Sequence, residues 1–201
     1  MLMSLTIRKM IAITIAAALA GCGGDDANYE IATGKRLAVE NFGYSLVVPK
    51  GLHYCPAASG GNVHGYVIYG ARAGQCKGGS TEDKYISLWA DFNVLKLPGE
   101  KIFSRNCKGY GKNEFPNEGN FSEDQKRAII DIKGELCGKF HGNVVEITTF
   151  LGLDSKSKKY YYLGNSEIPD RFIVVRLSTF RESIVEDAKK LNSILESVRY
   201  N

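Results

Sequence analysis

Apolar residues recur along this chain in two patterns, alternation with polar residues and a spacing of three or four. Alternating or β-branched runs bounded by Gly, Pro, Asn and Ser are typical of β-strands. Such runs predict strands over residues 35–40, 44–48, 63–69, 84–92, 127–132, 144–151, 159–163 and 171–180. In the last of these, the residues predicted to face the core are Ile173, Val175, Leu177 and Thr179.

The end of the chain carries the helical pattern. From Ser183 onward apolar residues return every three or four positions, and Ser183 and Glu186 have the spacing of a capping box. A second, short helix is predicted over residues 100–107, and loops over 56–62, 70–83 and 109–124. Together these elements predict an α+β fold: an antiparallel sheet of about seven or eight strands with a packing C-terminal helix and disulfide-stapled loops.

The first residues have a different organisation. Arg8 and Lys9 precede an apolar run over residues 11–19, which is too short to span a bilayer because a spanning helix needs about 20 apolar residues. The run ends in Leu19-Ala20-Gly21-Cys22. A basic start, a short apolar core and a small-residue end are typical of a secretory signal, and the last four residues resemble the lipobox of bacterial lipoproteins.

The lipobox resemblance implies how the chain is divided and where it resides. Residues 1–21 are the signal peptide, residues 22–30 the lipidated Cys22 and a tether, and residues 31–201 a single α+β domain. Gly23 stands where lipoproteins retained in the inner membrane tend to have Asp. We therefore expect a lipid anchor in the cell envelope, at the outer membrane facing the periplasm. The alternative is an ordinary signal or an N-terminal anchor, with Cys22 present by chance.

Four cysteines remain once Cys22 is lipidated, and an even number in an exported domain predicts two disulfides. Three pairings are possible. The pairing favoured here joins Cys55 with Cys76 and Cys107 with Cys137, because these are nearest in sequence and do not cross. A metal site built from all four thiolates is the alternative, but the sequence has no Cys-x-x-Cys pair and the predicted compartment is oxidising.

Composition and charge limit the classes of partner. Hydrophobic residues make up 44% and charged residues 24% of the chain, as in ordinary globular proteins. The formal net charge is +4, and removal of Arg8 and Lys9 with the signal leaves +2. This excess is too small to indicate nucleic-acid binding, so we expect no nucleic-acid partner.

The sequence contains no pattern typical of a zinc site or a serine nucleophile. His53, His64 and His141 lie on separate segments, without the close spacing that two zinc-binding histidines show. The stretch Gly78-Gly79-Ser80-Thr81-Glu82 lacks the second glycine of a nucleophile elbow. We therefore expect no metal at these residues.

Adjacent carboxylates are the remaining route to hydrolysis. Glu82 and Asp83 form one pair, and Glu123 and Asp124 form another. Neighbouring residues in an extended chain point to opposite sides, so solvated loop ends are the favoured interpretation. No phosphate-binding glycine loop occurs in the sequence. The expectation is a protein that is not an enzyme and that binds no cofactor.

The most distinctive surface-like stretch is a basic turn followed by tyrosines. It contains Lys156, Lys158, Lys159 and Tyr160, which we predict as binding residues. A basic hairpin tip of this kind contacts lipid headgroups, glycan or an acidic protein. A solvated turn that leads into a strand is the alternative.

One further resemblance concerns the two ends of the domain. Phe42-Gly43-Tyr44-Ser45-Leu46-Val47-Val48-Pro49-Lys50-Gly51 resembles the opening of PsbP-like domains, and residues 172–198 are similar to how those domains end. Residues 52–170 show no such likeness. PsbP-like domains occur in envelope lipoproteins, including immunity lipoproteins of the type VI secretion system, and are mostly non-enzymatic.

The resemblances imply an envelope-anchored, non-catalytic protein-binding module. Its more specific form is an immunity protein that neutralises a periplasmic toxin. An immunity protein needs only a complementary surface, and so its sequence carries no catalytic motif. The alternatives are a structural or assembly lipoprotein of an envelope complex and, in a third class, an enzyme acting on cell wall or lipid.

Overall fold

The computed structural model describes residues 30–59, 62–69, 84–109, 111–112, 121–163 and 170–201 of the 201-residue chain. The predicted signal peptide and Cys22 lie outside these ranges, as do Cys76 and the residues around it. Within the ranges, no helix has both the length and the apolar character needed to cross a membrane.

The described residues form twelve strands in two antiparallel sheets. In chain order they are β1 (Glu30–Ile31), β2 (Arg36–Val39), β3 (Tyr44–Val47), β4 (His53–Ser59), β5 (Asn62–Tyr69), β6 (Tyr85–Phe92), β7 (Gly111–Lys112), β8 (Leu136–His141), β9 (Val144–Asp154), β10 (Lys159–Tyr162), β11 (Arg171–Phe180) and β12 (Arg199–Tyr200). Nine build the main sheet, ordered β1-β4-β5-β6-β11-β9-β8-β7, and β10 pairs with β9. Because β1 and β7 have two residues each, seven longer strands carry this sheet. The other three form a small sheet, β12-β3-β2.

Helices cover both faces of the main sheet. In the described part of the chain they are α1 (Gly99–Asn106), α2 (Glu123–Ile130) and α3 (Ile184–Ser197). On one face of the main sheet, α2, α3 and the small sheet pack against the sheet and form one hydrophobic core with it. α3 contacts both β11 and β3. α1 packs Ile102 and Phe103 against Phe150 on the opposite face. The predicted α+β fold with a packing C-terminal helix is confirmed.

β11 lies in the middle of the main sheet because its alternation buries one complete row of side chains. It pairs with β6 on one side and with β9 on the other. Ile173, Val175, Leu177 and Thr179 are all buried, as predicted. Burial of an aliphatic side chain of this size contributes roughly 1.5–3 kcal/mol, so this row is a large part of the core energy.

Residues 127–132, predicted to be a strand, instead form the end of α2 and the turn after it. The helix begins at a capping box: the Ser122 hydroxyl accepts a hydrogen bond from the Gln125 N–H, and the Gln125 side chain accepts one from the Ser122 N–H. The buried Ile129 then faces the core from a helix. The cap outweighs the strand propensity of the isoleucines here.

The predicted loop over residues 56–62 is mostly strand. Pro56 is tolerated because β1 pairs only with the first two residues of β4, so Pro56 lies where β4 is the sheet edge among the described residues. The register between β4 and β5 shifts between Ala57 and Ala58, which leaves His64 as the extra residue of a β-bulge.

Candidate protein-binding surface

One end of the main sheet brings together the loop after β6 (residues 93–97), the hairpin tip between β9 and β10 (residues 154–159) and the start of β11. Asp170 joins them through three hydrogen bonds. Its backbone oxygen accepts from the Asn93 N–H (2.9 Å), and its own N–H donates to the Leu153 oxygen (3.1 Å). Its carboxylate accepts from the Ser155 N–H (3.0 Å). The loop and the hairpin tip are therefore held in one arrangement.

The 93–97 loop is fixed by the side chain of Asn93. Its Nδ2 donates to the Leu97 oxygen and its Oδ1 accepts from the Leu97 N–H, both at 2.9 Å. The Lys96 N–H donates to the Asn93 oxygen at 2.9 Å, and Lys96 has a φ of 48°, which is uncommon for a residue with a side chain. Because Asn93 is buried, these bonds are shielded from water and the loop is rigid.

The clamped loop presents apolar side chains to solvent. Val94 is 82% exposed and Leu95 64%, and Phe92 just before them is 48% exposed. We call these three residues the apolar tip. The other exposed large hydrophobic residues of the described chain, Ile31 and Ile130, lie on β1 and α2. Exposed apolar groups gathered in one place indicate an interaction site.

An open groove lies between the apolar tip and α1. Its volume is about 390 Å³, and ligand pockets commonly have about 300–1,000 Å³. Besides the tip, its apolar lining consists of Leu97, Ile102 and Phe172. Polar groups, among them the exposed Arg105 and Asn106, complete its walls. The groove can take an apolar side chain beside a charged one.

α1 forms one wall of this groove and is fixed at both ends. The disulfide between Cys107 and Cys137 ties the residue after α1 to β8, which confirms that predicted pairing. At the start of α1, a Cβ on Gly99 would lie 2.4 Å from the Leu163 oxygen, so only glycine permits this close approach. The wall is therefore held covalently at one end and by tight packing at the other.

The other predicted cysteine roles lie partly outside the described residues. Cys55 is buried and disulfide-bonded. Cys76, its predicted partner, lies outside the described ranges, and so does Cys22, the predicted lipid attachment point. The pairing of Cys55 with Cys76 and the lipidation of Cys22 stay predictions.

The predicted basic residues of the hairpin tip lie at the same end of the sheet as the apolar tip. Lys156, Lys158 and Lys159 are exposed, and none of them forms an ion pair with a described residue. The Lys158 ammonium lies 5.7 Å from the centroid of the Tyr200 ring, and the Arg171 guanidinium lies 5.6 Å from the same ring. The ring thus gathers two cations beside the hairpin tip.

The carboxylate of Asp154 closes the hairpin turn. It accepts hydrogen bonds from the Ser157 hydroxyl at 2.7 Å and from the Lys156 N–H at 2.9 Å. These bonds, that from Ser157 first, lower the pKa of Asp154 below its usual range. The Asp154 carboxylate therefore forms hydrogen bonds within the turn and no ion pair with the lysines, which are exposed to solvent.

Tyr160 differs from the three lysines. Its ring is half-buried and packs against the main core, and burial raises the pKa of its hydroxyl well above the usual value. That hydroxyl has no hydrogen-bond partner among the described residues. The structure therefore places the three lysines on the surface and Tyr160 beneath them, as a support for the hairpin.

His64 supports the apolar tip through stacked rings. Phe92 stacks on Phe42 with ring centroids 4.8 Å apart, Phe42 contacts His64 at 4.7 Å, and His64 stacks on Trp89 at 4.5 Å. His64 Nδ1 lies 3.0 Å from the Ala90 oxygen. At the β-bulge between β4 and β5, the His64 imidazole therefore packs against the Phe42 and Trp89 rings, with Nδ1 within hydrogen-bond distance of the Ala90 oxygen.

The other candidate groups do not come together. His53 begins β4 and His141 ends β8, both at the opposite end of the main sheet. Glu123 pairs with Lys126 at 2.8 Å in the first turn of α2, and Glu82 and Asp83 lie outside the described residues. Among the residues the structure describes, no group of three His, Cys, Asp or Glu could hold a metal ion.

Sequence reasoning missed the 93–97 loop. A usable signal is the adjacent apolar pair Val94 and Leu95, which follows the end of a strand and shortly precedes Pro98 and Gly99. A tight turn cannot bury two neighbouring side chains, so such a pair in a turn indicates exposed apolar surface.

No protein-family model matches the chain, and searches of curated proteins and of solved structures found no match. The resemblances to bacterial lipoproteins and to PsbP-like domains therefore stay predictions.

Proposed function

We propose that this protein is an envelope-anchored, non-catalytic protein-binding module that contacts its partner through the apolar tip and the adjoining groove. The observation that carries this proposal is the 93–97 loop, which the buried Asn93 fixes while Val94 and Leu95 stay exposed. A rigid loop loses little conformational entropy on association, which favours binding. An apolar centre with a polar rim is the usual anatomy of a protein interface.

In its more specific form the partner is a periplasmic toxin, and this protein is the immunity protein that blocks it. Neutralisation needs only a rigid complementary surface, which the apolar tip supplies. A lipid anchor at Cys22 would hold that surface in the compartment where such a toxin arrives. Assembly of an envelope complex is the alternative that the same surface could serve.

The test is affinity capture from the source cell, using the full chain with a tag inserted in the predicted tether (residues 22–30). We expect the wild type to retain one stoichiometric partner and the Val94→Ser/Leu95→Ser variant to lose it. Ile130→Ser is the matched control, because Ile130 and Leu95 are each 64% exposed but lie on different surfaces. Exposed substitutions of this kind change stability by only about 0.5 kcal/mol. Undiminished capture by the double variant would contradict the proposal.

Cells that lack the protein distinguish the two kinds of partner. An immunity role predicts that such cells are killed by contact with sister cells that deliver the toxin. Wild type and Ile130→Ser should restore protection, whereas Val94→Ser/Leu95→Ser should not. Cells that resist all sister-cell intoxication and have a leaky envelope instead would favour the assembly role.

A further inference from the structure

We infer that the small sheet and the hairpin tip together form a basic face that docks on the anionic surface of the bilayer holding the lipid anchor. The basic face consists of Arg36, Arg199, Lys156, Lys158 and Lys159, all exposed. The inference rests on the proposed envelope anchoring and adds a membrane contact that is separate from the partner-binding groove.

The two arginines lie on the side of the small sheet that points away from the core. Arg36 Nη1 donates to the Ser45 hydroxyl at 3.3 Å, and Arg199 stands directly opposite Ser45 in the pairing of β12 with β3. Tyr44 and Leu46, the neighbours of Ser45 along β3, are buried in the core. Because successive side chains of a strand point to opposite faces, both arginines belong to the outer face.

The hairpin tip continues the basic face beyond β12. Tyr200 follows Arg199, and the Lys158 ammonium lies 5.7 Å from the centroid of the Tyr200 ring. Lys156 and Lys159 are close to Lys158 in the same turn. None of the five cations of the basic face forms an ion pair with a described residue. They are therefore available to an anionic surface.

The positive charge of the mature chain is concentrated on this side. The segments that contain the small sheet, the hairpin tip and the start of β11 are residues 35–50, 154–159, 170–171 and 196–201. They hold eight basic and four acidic residues. Their net charge of +4 exceeds the +2 of the whole mature chain, so the remainder is net negative. An anionic surface is attracted to this side.

None of the four acids in these segments forms an ion pair with the basic face. Asp154 and Asp170 accept hydrogen bonds within the hairpin turn. Glu196 lies 3.8 Å from the ammonium of Lys133, a cation outside the basic face. Glu40 is exposed and follows the last residue of β2. The basic face therefore keeps its charge.

The predicted tether brings a bilayer within reach of this face. Residues 22–29 span at most about 29 Å when fully extended, so a bilayer that holds the lipid of Cys22 would lie within that distance of Glu30. The Glu30 carboxylate accepts from the Tyr54 hydroxyl, and the Tyr54 and Tyr66 rings lie 5.7 Å apart. The Tyr66 hydroxyl donates to the Ala38 oxygen of β2 at 3.1 Å. The tether thus joins the domain beside the small sheet.

A bilayer fits the basic face better than a small anion does. An extended anionic surface contacts cations spread over a sheet and a hairpin at once, whereas a free phosphate ion meets one or two of them. The anchor holds the face near the bilayer, so a weak attraction per charge is sufficient. The small sheet and α1 pack on opposite faces of the main sheet, so docking leaves the groove open to a protein partner.

The test adds the lipidated mature chain to preformed vesicles of phosphatidylethanolamine with either phosphatidylglycerol or phosphatidylcholine. A membrane-impermeant reagent acetylates exposed lysines, and mass spectrometry measures the rate at each one. Lys156, Lys158 and Lys159 should react at least about fivefold more slowly on the phosphatidylglycerol vesicles. Lys101, exposed on α1, should react equally on both.

Two controls assign this protection to the basic face. Each cation near an anionic bilayer favours docking about fivefold, so Arg36→Gln/Arg199→Gln should lose most of the protection of the hairpin lysines. Lys101→Gln/Lys108→Gln removes the same charge at exposed residues on the α1 side and should keep it. Added salt should remove the protection in the wild type by screening, which tests docking without any substitution.

Equal acetylation of the hairpin lysines on both kinds of vesicle would overturn the inference, as would protection that added salt leaves unchanged. Protection that appears only when a captured protein is present would identify an acidic protein surface instead, and would also overturn it.

Failure of the inference differs from failure of the proposed function. If Val94→Ser/Leu95→Ser keeps its captured partner, the proposed partner-binding function fails whatever the lysines show. If that variant loses its partner while the hairpin lysines react equally on both vesicles, the function stands and the membrane contact is wrong.

Discussion

The side chain of Asn93 bonds to both the N–H and the oxygen of Leu97, four residues further along, with each N–O distance 2.9 Å. Asn93 and Leu97 stand on either side of the exposed Val94 and Leu95. The two hydrogen bonds between them therefore fix the shape of the apolar tip. We expect Asn93→Ala to lower the free energy of unfolding by about 1–3 kcal/mol, because it leaves the Leu97 groups without their partner. Denaturant unfolding measures this loss, and hydrogen exchange of the Leu97 amide measures the loosening of the loop.

Asn143→Ala is the control for this prediction. The Asn143 amide donates to the Glu182 carboxylate at 2.8 Å, but at an exposed site, so its loss should change stability by about 0.5 kcal/mol or less. Should the Leu97 amide exchange no faster in Asn93→Ala than in the wild type, other contacts fix the loop.

The disulfide between Cys107 and Cys137 should stabilise both the fold and the groove. The two residues are 30 apart in sequence, and closing a loop of that length stabilises by about 3–4 kcal/mol in the chain-entropy model. We expect Cys107→Ala/Cys137→Ala to lose stability of that order in urea unfolding. Its α1 amides should also lose more exchange protection than those of β11, because α1 is released at one end.

The matched control is Cys55→Ala/Cys76→Ala, which removes the other predicted disulfide. It should leave the protection of α1 relative to β11 unchanged. Equal loosening of α1 in both double variants would show that the helix is not held by its own disulfide.

A buried carboxylate holds α3 against the opposite end of the main sheet. Asp187 Oδ2 accepts from the Thr179 hydroxyl at 2.6 Å and lies 3.3 Å from the Lys84 ammonium, while Oδ1 lies 3.1 Å from the Lys190 ammonium. Asp187→Asn leaves two ammonium groups without this counter-charge. We expect a loss of about 2–3 kcal/mol in thermal unfolding, below the ~3–5 kcal/mol of a fully buried pair because both lysines are partly exposed.

Glu186→Gln provides the comparison on the same helix. Glu186 pairs with Lys190 at 2.6 Å but is itself exposed, so its loss should lower stability by less than about 1 kcal/mol. If Glu186→Gln and Asp187→Asn lower the stability by similar amounts, burial does not strengthen the contacts of Asp187.

Two serine caps show why the architecture was easier to predict than its details. The strong patterns of β11 and α3 predict these elements correctly, but the capping box predicted at Ser183 does not form. Ser183 has a helical backbone conformation (φ −100°, ψ −2°) instead of the extended one of an N-cap residue, and its hydroxyl accepts from the Lys84 ammonium at 2.9 Å. The box at Ser122 forms and starts α2, where a strand was predicted. The backbone conformation of Ser183 and its contact with Lys84 both depend on the tertiary fold, which the local spacing of Ser183 and Glu186 does not contain.

The candidate surface was predictable only in part, for a similar reason. The hairpin lysines stand out by charge alone, whereas exposure of Val94 and Leu95 depends on the clamp at Asn93, which only the fold reveals. β8 was not predicted, since Gly138 interrupts its short apolar run. The groove forms because α1, which begins two residues after the 93–97 loop, turns back beside that loop and Phe172 of β11, and local spacing does not reveal the direction of that turn.

The last prediction concerns the attachment of β1 to the main sheet. The Tyr54 hydroxyl donates to the Glu30 carboxylate at 2.5 Å, and this bond, followed by burial, raises the pKa of Tyr54 from 10.0 to about 12. Because the folded state favours the protonated phenol, the stability that Tyr54 contributes is present below pH 10 and is lost as the pH rises toward 12. We expect the free energy of unfolding of the wild type to fall more steeply over this range than that of Tyr54→Phe.

Denaturant unfolding of both proteins at several pH values from neutral to 12 measures that difference. Other tyrosines ionise in both proteins, so the comparison isolates Tyr54. Glu30→Gln keeps a hydrogen-bond acceptor but removes its charge, and should bring the Tyr54 pKa toward its ordinary value in a tyrosinate absorbance titration. Parallel stability curves for wild type and Tyr54→Phe would show that the contact is not maintained in solution, and that β1 is held by backbone pairing to β4 alone.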